Sequence, residues 1–143
     1  MSELELAISG SIAILTLNRP EQHNAVSYAM WQALPDLCSQ LAADTAVRVV
    51  ICRGHGQEAF SAGGDIVEFR EQRSNRPQAE QYNRHVQAAL DALLTLPQPT
   101  IALIHGFCVG GGLLLAAYCD LRIASGSARF GLPVAKLGFL ITY

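Results

Sequence analysis

The chain has 143 residues, half of them hydrophobic and only 15% charged, with a formal net charge of −2. That is enough apolar material for one packed domain, and too little charge for a disordered chain. No basic stripe runs along it, which argues against nucleic acid as a partner.

In chain order, Met1-Ser2-Glu3-Leu4-Glu5 has no basic region before an apolar run, so no signal peptide is expected. Leu4 to Ile8 and Ile12 to Leu17 are β-rich runs separated by Ser9-Gly10-Ser11 and predict a hairpin with both faces partly covered. Asn18-Arg19-Pro20 ends it, because proline cannot continue a ladder. Ser27 is placed to cap a helix running towards Ala43, with Met30, Leu34, Leu37 and Leu41 on one face. Pro35 lies inside that pattern and is expected to kink or split it. Val47 to Cys52 reads as a strand buried on both faces. Residues 54–65 read as a glycine-rich loop, Ile66 to Arg73 as a short helix, and Pro77 to Leu96 as a longer one with Tyr82, Val86, Leu90 and Leu93 in register. Thr100 to Ile104 reads as a buried strand, Gly110 to Cys119 as a buried helix, and Asp120 to Ala124 as a further strand. Alternating strands and helices make the fold class α/β, one domain over residues 1–143.

The cysteines Cys38, Cys52, Cys108 and Cys119 form no CxxC pair and no ligand cluster with histidine, so no metal is expected. Small buried thiols in a reduced compartment are the simpler reading. The longest apolar stretch, Val109 to Tyr118, contains glycines and is too short to span a bilayer. A cytoplasmic protein without membrane contact is expected.

Two segments carry chemistry. Thr100 to Ile104 leads through Gly106 into Gly110-Gly111-Gly112 and an apolar helix. Glycines at a helix start are poor for propensity, but they allow a ligand or another backbone to approach closely. The first N–H groups of a helix lack internal partners and sit at the positive end of its dipole, a suitable place for a developing oxyanion. Tight helix–strand packing would also call for such glycines. The segment Ser61-Ala62-Gly63-Gly64-Asp65 also follows a strand and opens a helix, with Asp65 as a candidate cap. Two such turns offer the two donors that an oxyanion hole requires.

The ordered set Asn18-Arg19-Pro20, Asn24-Ala25-Val26, Ala59-Phe60-Ser61-Ala62-Gly63-Gly64-Asp65-Ile66, Pro99-Thr100-Ile101-Ala102, Gly106-Phe107-Cys108-Val109-Gly110-Gly111-Gly112, Cys119-Asp120-Leu121-Arg122-Ile123-Ala124 and Ala128-Arg129-Phe130-Gly131 resembles the crotonase, or enoyl-CoA hydratase/isomerase, superfamily. The resemblance implies a spiral of ββα units, a coenzyme A thioester as substrate or ligand with no other cofactor, and a homo-oligomer, a trimer or hexamer. It implies that the N–H groups of Gly64 and Gly111 form the oxyanion hole. It also implies that His23, Ala25, Ala62, Asp65 and Ile66 contact coenzyme A, while positions 114 and 134 face the acyl group.

Hydratases of this superfamily carry glutamates at those two positions. Here they are Leu114 and Val134, and neither side chain can transfer a proton. Glu68, His85 and His105 are possible substitutes. A solvent-facing Glu68, a surface or core-edge His85 and a satisfied core His105 are the competing structural readings. Tyr118 and Cys119 read as packing, and Cys108 has no visible base partner. The chain is also expected to stop before the C-terminal helical region that the resemblance implies. The reading is therefore an acyl-CoA protein with an oxyanion hole. Its alternatives are a non-catalytic or truncated acyl-CoA binder, or a decarboxylase that needs neither glutamate.

Overall fold

A computed structural model describes residues 2–133. The chain runs β1 (Leu4–Ser9), β2 (Ile12–Leu17), α1 (Tyr28–Ala43), β3 (Val49–Gly54), β4 (Ala59–Ser61), α2 (Phe69–Gln72), α3 (Arg76–Leu94), β5 (Thr100–Ile104), β6 (Phe107–Val109), α4 (Gly111–Tyr118), β7 (Leu121–Ala124) and β8 (Arg129–Gly131). The hairpin strands β1 and β2 and the first strand of each later unit form one sheet, ordered β1-β2-β3-β5-β7, and the second strands of the later units form another, ordered β4-β6-β8. Apart from the β1–β2 hairpin, the named pairings are parallel. The α/β class and the repeating ββα units are as expected.

The core lies between the larger sheet and the helices. Trp31, Leu34 and Leu41 of α1 and Tyr82, Leu90 and Leu93 of α3 are buried together with Leu15, Val50, Cys52, Ala102 and Ile104 of the sheet. Alternation puts Leu103, Leu121 and Ile123 on the other face, where all three are exposed.

Ser27 begins α1 as anticipated. Its Oγ accepts the Met30 N–H at 3.2 Å. Pro35 does not split the helix, which is continuous over 16 residues. Proline removes one N–H from the ladder, but the buried neighbours Leu34 and Cys38 anchor the helix on either side of it. The anticipated helix over residues 66–73 contracts to a turn followed by Phe69–Gln72. The anticipated loop over residues 54–65 contains β4, and the strands β6 and β8 were not anticipated. All three have only three residues, too short for a period to register.

Candidate active site

β4 and β6 are adjacent and parallel, with Ala59 opposite Phe107 and Ser61 opposite Cys108. Their chains therefore leave the small sheet side by side at the same end. β4 runs into Ala62-Gly63-Gly64 and β6 into Gly110-Gly111-Gly112. Each turn passes through a left-handed residue, Gly63 at φ +106° and Gly110 at φ +52°, conformations that glycine adopts without a Cβ clash. The turns touch. A Cβ placed on Gly111 would fall 3.2 Å from the Gly64 nitrogen, and one placed on Gly63 would fall 3.3 Å from the Gly111 nitrogen.

The hydrogen bonding leaves the Gly64 N–H on the first turn and the Gly111 N–H on the second without a backbone acceptor among the described residues. Gly64 bridges to Val26, but the bonds use its neighbours: the Val26 N–H donates to Gly63 O at 2.7 Å and the Asp65 N–H to Val26 O at 3.0 Å. The Gly64 N–H is thereby directed to the opposite edge. Gly111 is the first residue of α4, so its N–H has no intrahelical acceptor. Among the described residues neither N–H donates a backbone hydrogen bond. Both glycines are half-buried, which leaves the pair reachable from outside.

The segment 19–26 braces the first turn. The Ala62 N–H donates to His23 O at 2.9 Å. The Arg19 guanidinium donates to Ala25 O and to Asp65 Oδ2, each at 2.9 Å, and pairs with Glu3 at 3.1 Å. Asn24, 1% exposed, spends its whole side chain on the loop. Its Oδ1 accepts the Arg19 N–H at 3.1 Å and its Nδ2 donates to His55 O at 2.9 Å and Ala59 O at 2.8 Å. His23, Ala25, Ala62, Gly64 and Asp65 are thus one contiguous patch. Ile66 stands exposed beside it, and the His23 ring pairs with Glu58 at 3.2 Å.

Asp65 does not cap α2, which begins four residues later. Its Oδ1 instead accepts the Val67 N–H at 3.0 Å, closing a turn, and its Oδ2 faces Arg19. Burial opposes ionisation there, but the Arg19 bond and the Val67 N–H outweigh it and hold the carboxyl below its usual range.

Of the candidate acids and bases, Glu68 and His85 are engaged elsewhere. The Glu68 carboxylate accepts the Tyr28 N–H at 2.6 Å, filling an orphan donor of α1. His85 Nδ1 meets the Tyr28 hydroxyl at 2.8 Å. His105 is half-buried, and its Nε2 has no hydrogen-bond partner among the described residues. Burial pushes the Cys38 and Cys108 thiols up to about 11, so neither is a thiolate near neutrality. Leu114 occupies the first turn of α4, its N–H on Gly110 O at 3.0 Å and its side chain against the core. Val134 lies outside the described residues.

Reading the sequence missed the clamp formed by Arg19 and Asn24, and the closeness of Trp31 and Tyr82 to the two turns. The buried Asn24 carried a weak signal, since a short amide between Arg19-Pro20 and an apolar run suits a turn lock.

A family model described as enoyl-CoA hydratase/isomerase matches residues 7–142. A short-chain-enoyl-CoA hydratase from Clostridium acetobutylicum is 34% identical over 138 residues, covering 96% of this chain and 52% of that protein. An (E)-benzylidenesuccinyl-CoA hydratase from Thauera aromatica is 36% identical over 138 residues, covering 94% and 52% respectively. Among solved structures, an enoyl-CoA hydratase/carnithine racemase from Magnetospirillum magneticum superposes with a TM-score of 0.96 at 43% identity, over 100% of this chain and 54% of that one. The chain thus spans about half the length of the curated relatives it matches. No helix among the described residues is long and apolar enough to cross a membrane.

Proposed function

The chain belongs to the enoyl-CoA hydratase/isomerase family, and on that premise we propose that it binds an acyl-CoA thioester and polarises its carbonyl between the N–H groups of Gly64 and Gly111. The observation that supports this most is the pair of uncommitted N–H groups on touching turns. Donors fixed in advance need no reorganisation as charge develops on the oxygen, and removing one such donor costs about 3–4 kcal/mol in well-studied acyl-transfer enzymes. The patch His23, Ala25, Ala62, Asp65 and Ile66 would carry the coenzyme A portion, and Leu114 and Val134 the acyl side. The thioester is the only small molecule this reading requires.

The reaction proposed is one that an enolate-stabilising hole can promote without two carboxylates. Leu114 favours this over hydration, because hydrocarbon cannot deliver the proton that adding water to a double bond requires. Decarboxylation of a malonyl-type thioester is such a reaction. Binding without turnover is the second reading, supported by the same leucine. Assembly as a homo-oligomer, a trimer or hexamer, is proposed on family grounds, and the exposed Leu103, Leu121 and Ile123 are consistent with it.

Calorimetry with acetyl-CoA, joined to infrared spectra of carbonyl-labelled acetyl-CoA, tests the reading. The expected outcome is measurable binding, a thioester band moved to lower frequency, and loss of that shift in Gly111→Ala. Crotonyl-CoA should be hydrated very slowly or not at all. Absence of heat at millimolar ligand from a folded sample, or robust hydration by the parent chain, would overturn it.

A further inference from the structure

Two buried polar side chains meet the two glycine turns, and none of the bonds described so far uses them. Trp31 of α1 is 2% exposed and Tyr82 of α3 is 3% exposed. The Trp31 ring edge meets the second turn, with Cζ2 at 3.2 Å from where a Cβ on Gly111 would lie. The Tyr82 oxygen meets the first turn, 3.4 Å from where a Cβ on Gly64 would lie. Each glycine of the pair therefore has one aromatic polar group beside it.

The Trp31 Nε1–H is fully buried with no hydrogen-bond partner among the described residues. It lies towards the Tyr82 oxygen, near enough to favour negative charge there, without closing a bond of good geometry. No acceptor is found for the Tyr82 hydroxyl proton among the described hydrogen bonds of this region. An indole N–H can only donate, so its approach to the Tyr82 oxygen favours a phenolic proton that points elsewhere. A buried polar group without a partner costs about 1–3 kcal/mol. Each such group in a folded protein calls for a structural explanation.

The surroundings hold the phenol in place. Tyr82 stacks on Tyr28 with ring centroids 5.3 Å apart and meets Phe69 edge-on at 5.6 Å. The Arg73 guanidinium lies 5.2 Å from the Tyr82 ring centroid. Burial pushes its pKa up to about 12, so the group keeps its proton at working pH. It is a donor and not a base.

We propose that the Tyr82 hydroxyl is a third hydrogen-bond donor to the oxygen held by Gly64 and Gly111, with Trp31 as the positioning residue that orients it. This rests on the thioester-binding reading above and deepens it. Three donors and no acceptor suit an oxygen that gains negative charge, so the site would favour thioesters that pass through an enolate. A neutral carbonyl such as an amide analogue would gain less.

Tyr82→Phe removes only the oxygen and keeps both ring contacts. It should fold as the parent does and bind coenzyme A unchanged. It should bind acetyl-CoA roughly 3- to 10-fold more weakly, the equivalent of one ordinary hydrogen bond. Part of the carbonyl band shift should also be lost. Trp31 is the only tryptophan, so the unmodified chain offers a second readout: acetyl-CoA should alter its fluorescence, and coenzyme A without an acyl group should not. If Tyr82→Phe binds acetyl-CoA with the parent's affinity and full band shift while Gly111→Ala loses that shift, the third donor is refuted and the backbone hole survives. If the parent shows no band shift at all, the hole itself fails and this inference with it.

Discussion

Gly112→Ala tests the packing that brings the two turns together. A Cβ at this position would lie 2.5 Å from Ser61 Cβ and 2.8 Å from both Ser61 O and Oγ. Carbon atoms rest comfortably at about 3.5–4.0 Å, so roughly 1 Å of separation must be found. Ser61 cannot retreat, because it is fully buried, pairs with Cys108 in the small sheet and accepts the Gly63 N–H at 3.2 Å. The helix α4 must move instead, and the Gly111 N–H moves with it. Alanine is favoured over glycine in a helix by about 1 kcal/mol, while overpacking costs about 1–3 kcal/mol. The clash is with backbone as well as side chain, which puts the cost at the upper end. The expected net result is a loss of about 1–2 kcal/mol by urea unfolding. Acetyl-CoA binding should also fall, since a donor displaced by about 1 Å no longer makes a good bond. Gly126→Ala, where a Cβ meets nothing within 4 Å, is the control and should be nearly neutral. Adding Ser61→Gly to Gly112→Ala should restore part of the stability. A Gly112→Ala chain that unfolds at the parent's urea midpoint and binds acetyl-CoA as the parent does would refute the packing argument.

Asn24→Ala should lower stability by about 2–4 kcal/mol in urea unfolding, because it strips partners from the Arg19 N–H and from two carbonyls and leaves alanine at φ +56°. An exposed polar residue would show almost no change on truncation, and such a result would remove Asn24 from the clamp. The Asp65 carboxyl has a folded pKa below its ordinary 3.8, so its contribution is fully present above that value and lost as pH falls through the folded one. The urea midpoint should therefore drop below pH 3.8, and less steeply in Asp65→Asn. Asp120, held down chiefly by the Thr100 N–H and hydroxyl, titrates in the same window in both chains, so the difference between them isolates Asp65. Identical acid profiles would show that the Arg19 pair does not depend on ionisation.

The sequence revealed most where periodicity was long. α1, α3 and the strands of the large sheet carry enough residues to show a period, and their positions came out within a few residues. The small sheet was invisible because its strands have three residues each, and what defines them is a neighbour far away in the chain. That mattered for the site. Two glycine turns are visible in the sequence, but their contact depends on β4 and β6 being parallel neighbours. The clamp was hidden for another reason. Arg19, Asn24 and Asp65 act through bonds to backbone atoms and to each other over separations of up to 46 residues, and no local pattern encodes such pairings. At Pro35 local propensity predicts a break, but the burial of Leu34 and Cys38 on either side decides for a continuous helix.

The two halves of the proposed chemistry have different structural origins, and this explains how one can stand without the other. The donors at Gly64 and Gly111 are backbone atoms. Any chain that keeps β4 beside β6 and small residues in both turns will present them, whatever its other side chains. Proton transfer depends on side chains projecting from that frame, and each can change alone. In the proposed reading Leu114 is such a change: its N–H keeps the helical bond to Gly110 while its side chain joins the core. A leucine there in place of an acid would cost the fold nothing and gain apolar burial. Losing a donor would require a Cβ to be forced between touching turns. The proposed hole is therefore the part of the site that the backbone itself holds in place, and the reaction proposed for this chain begins from it.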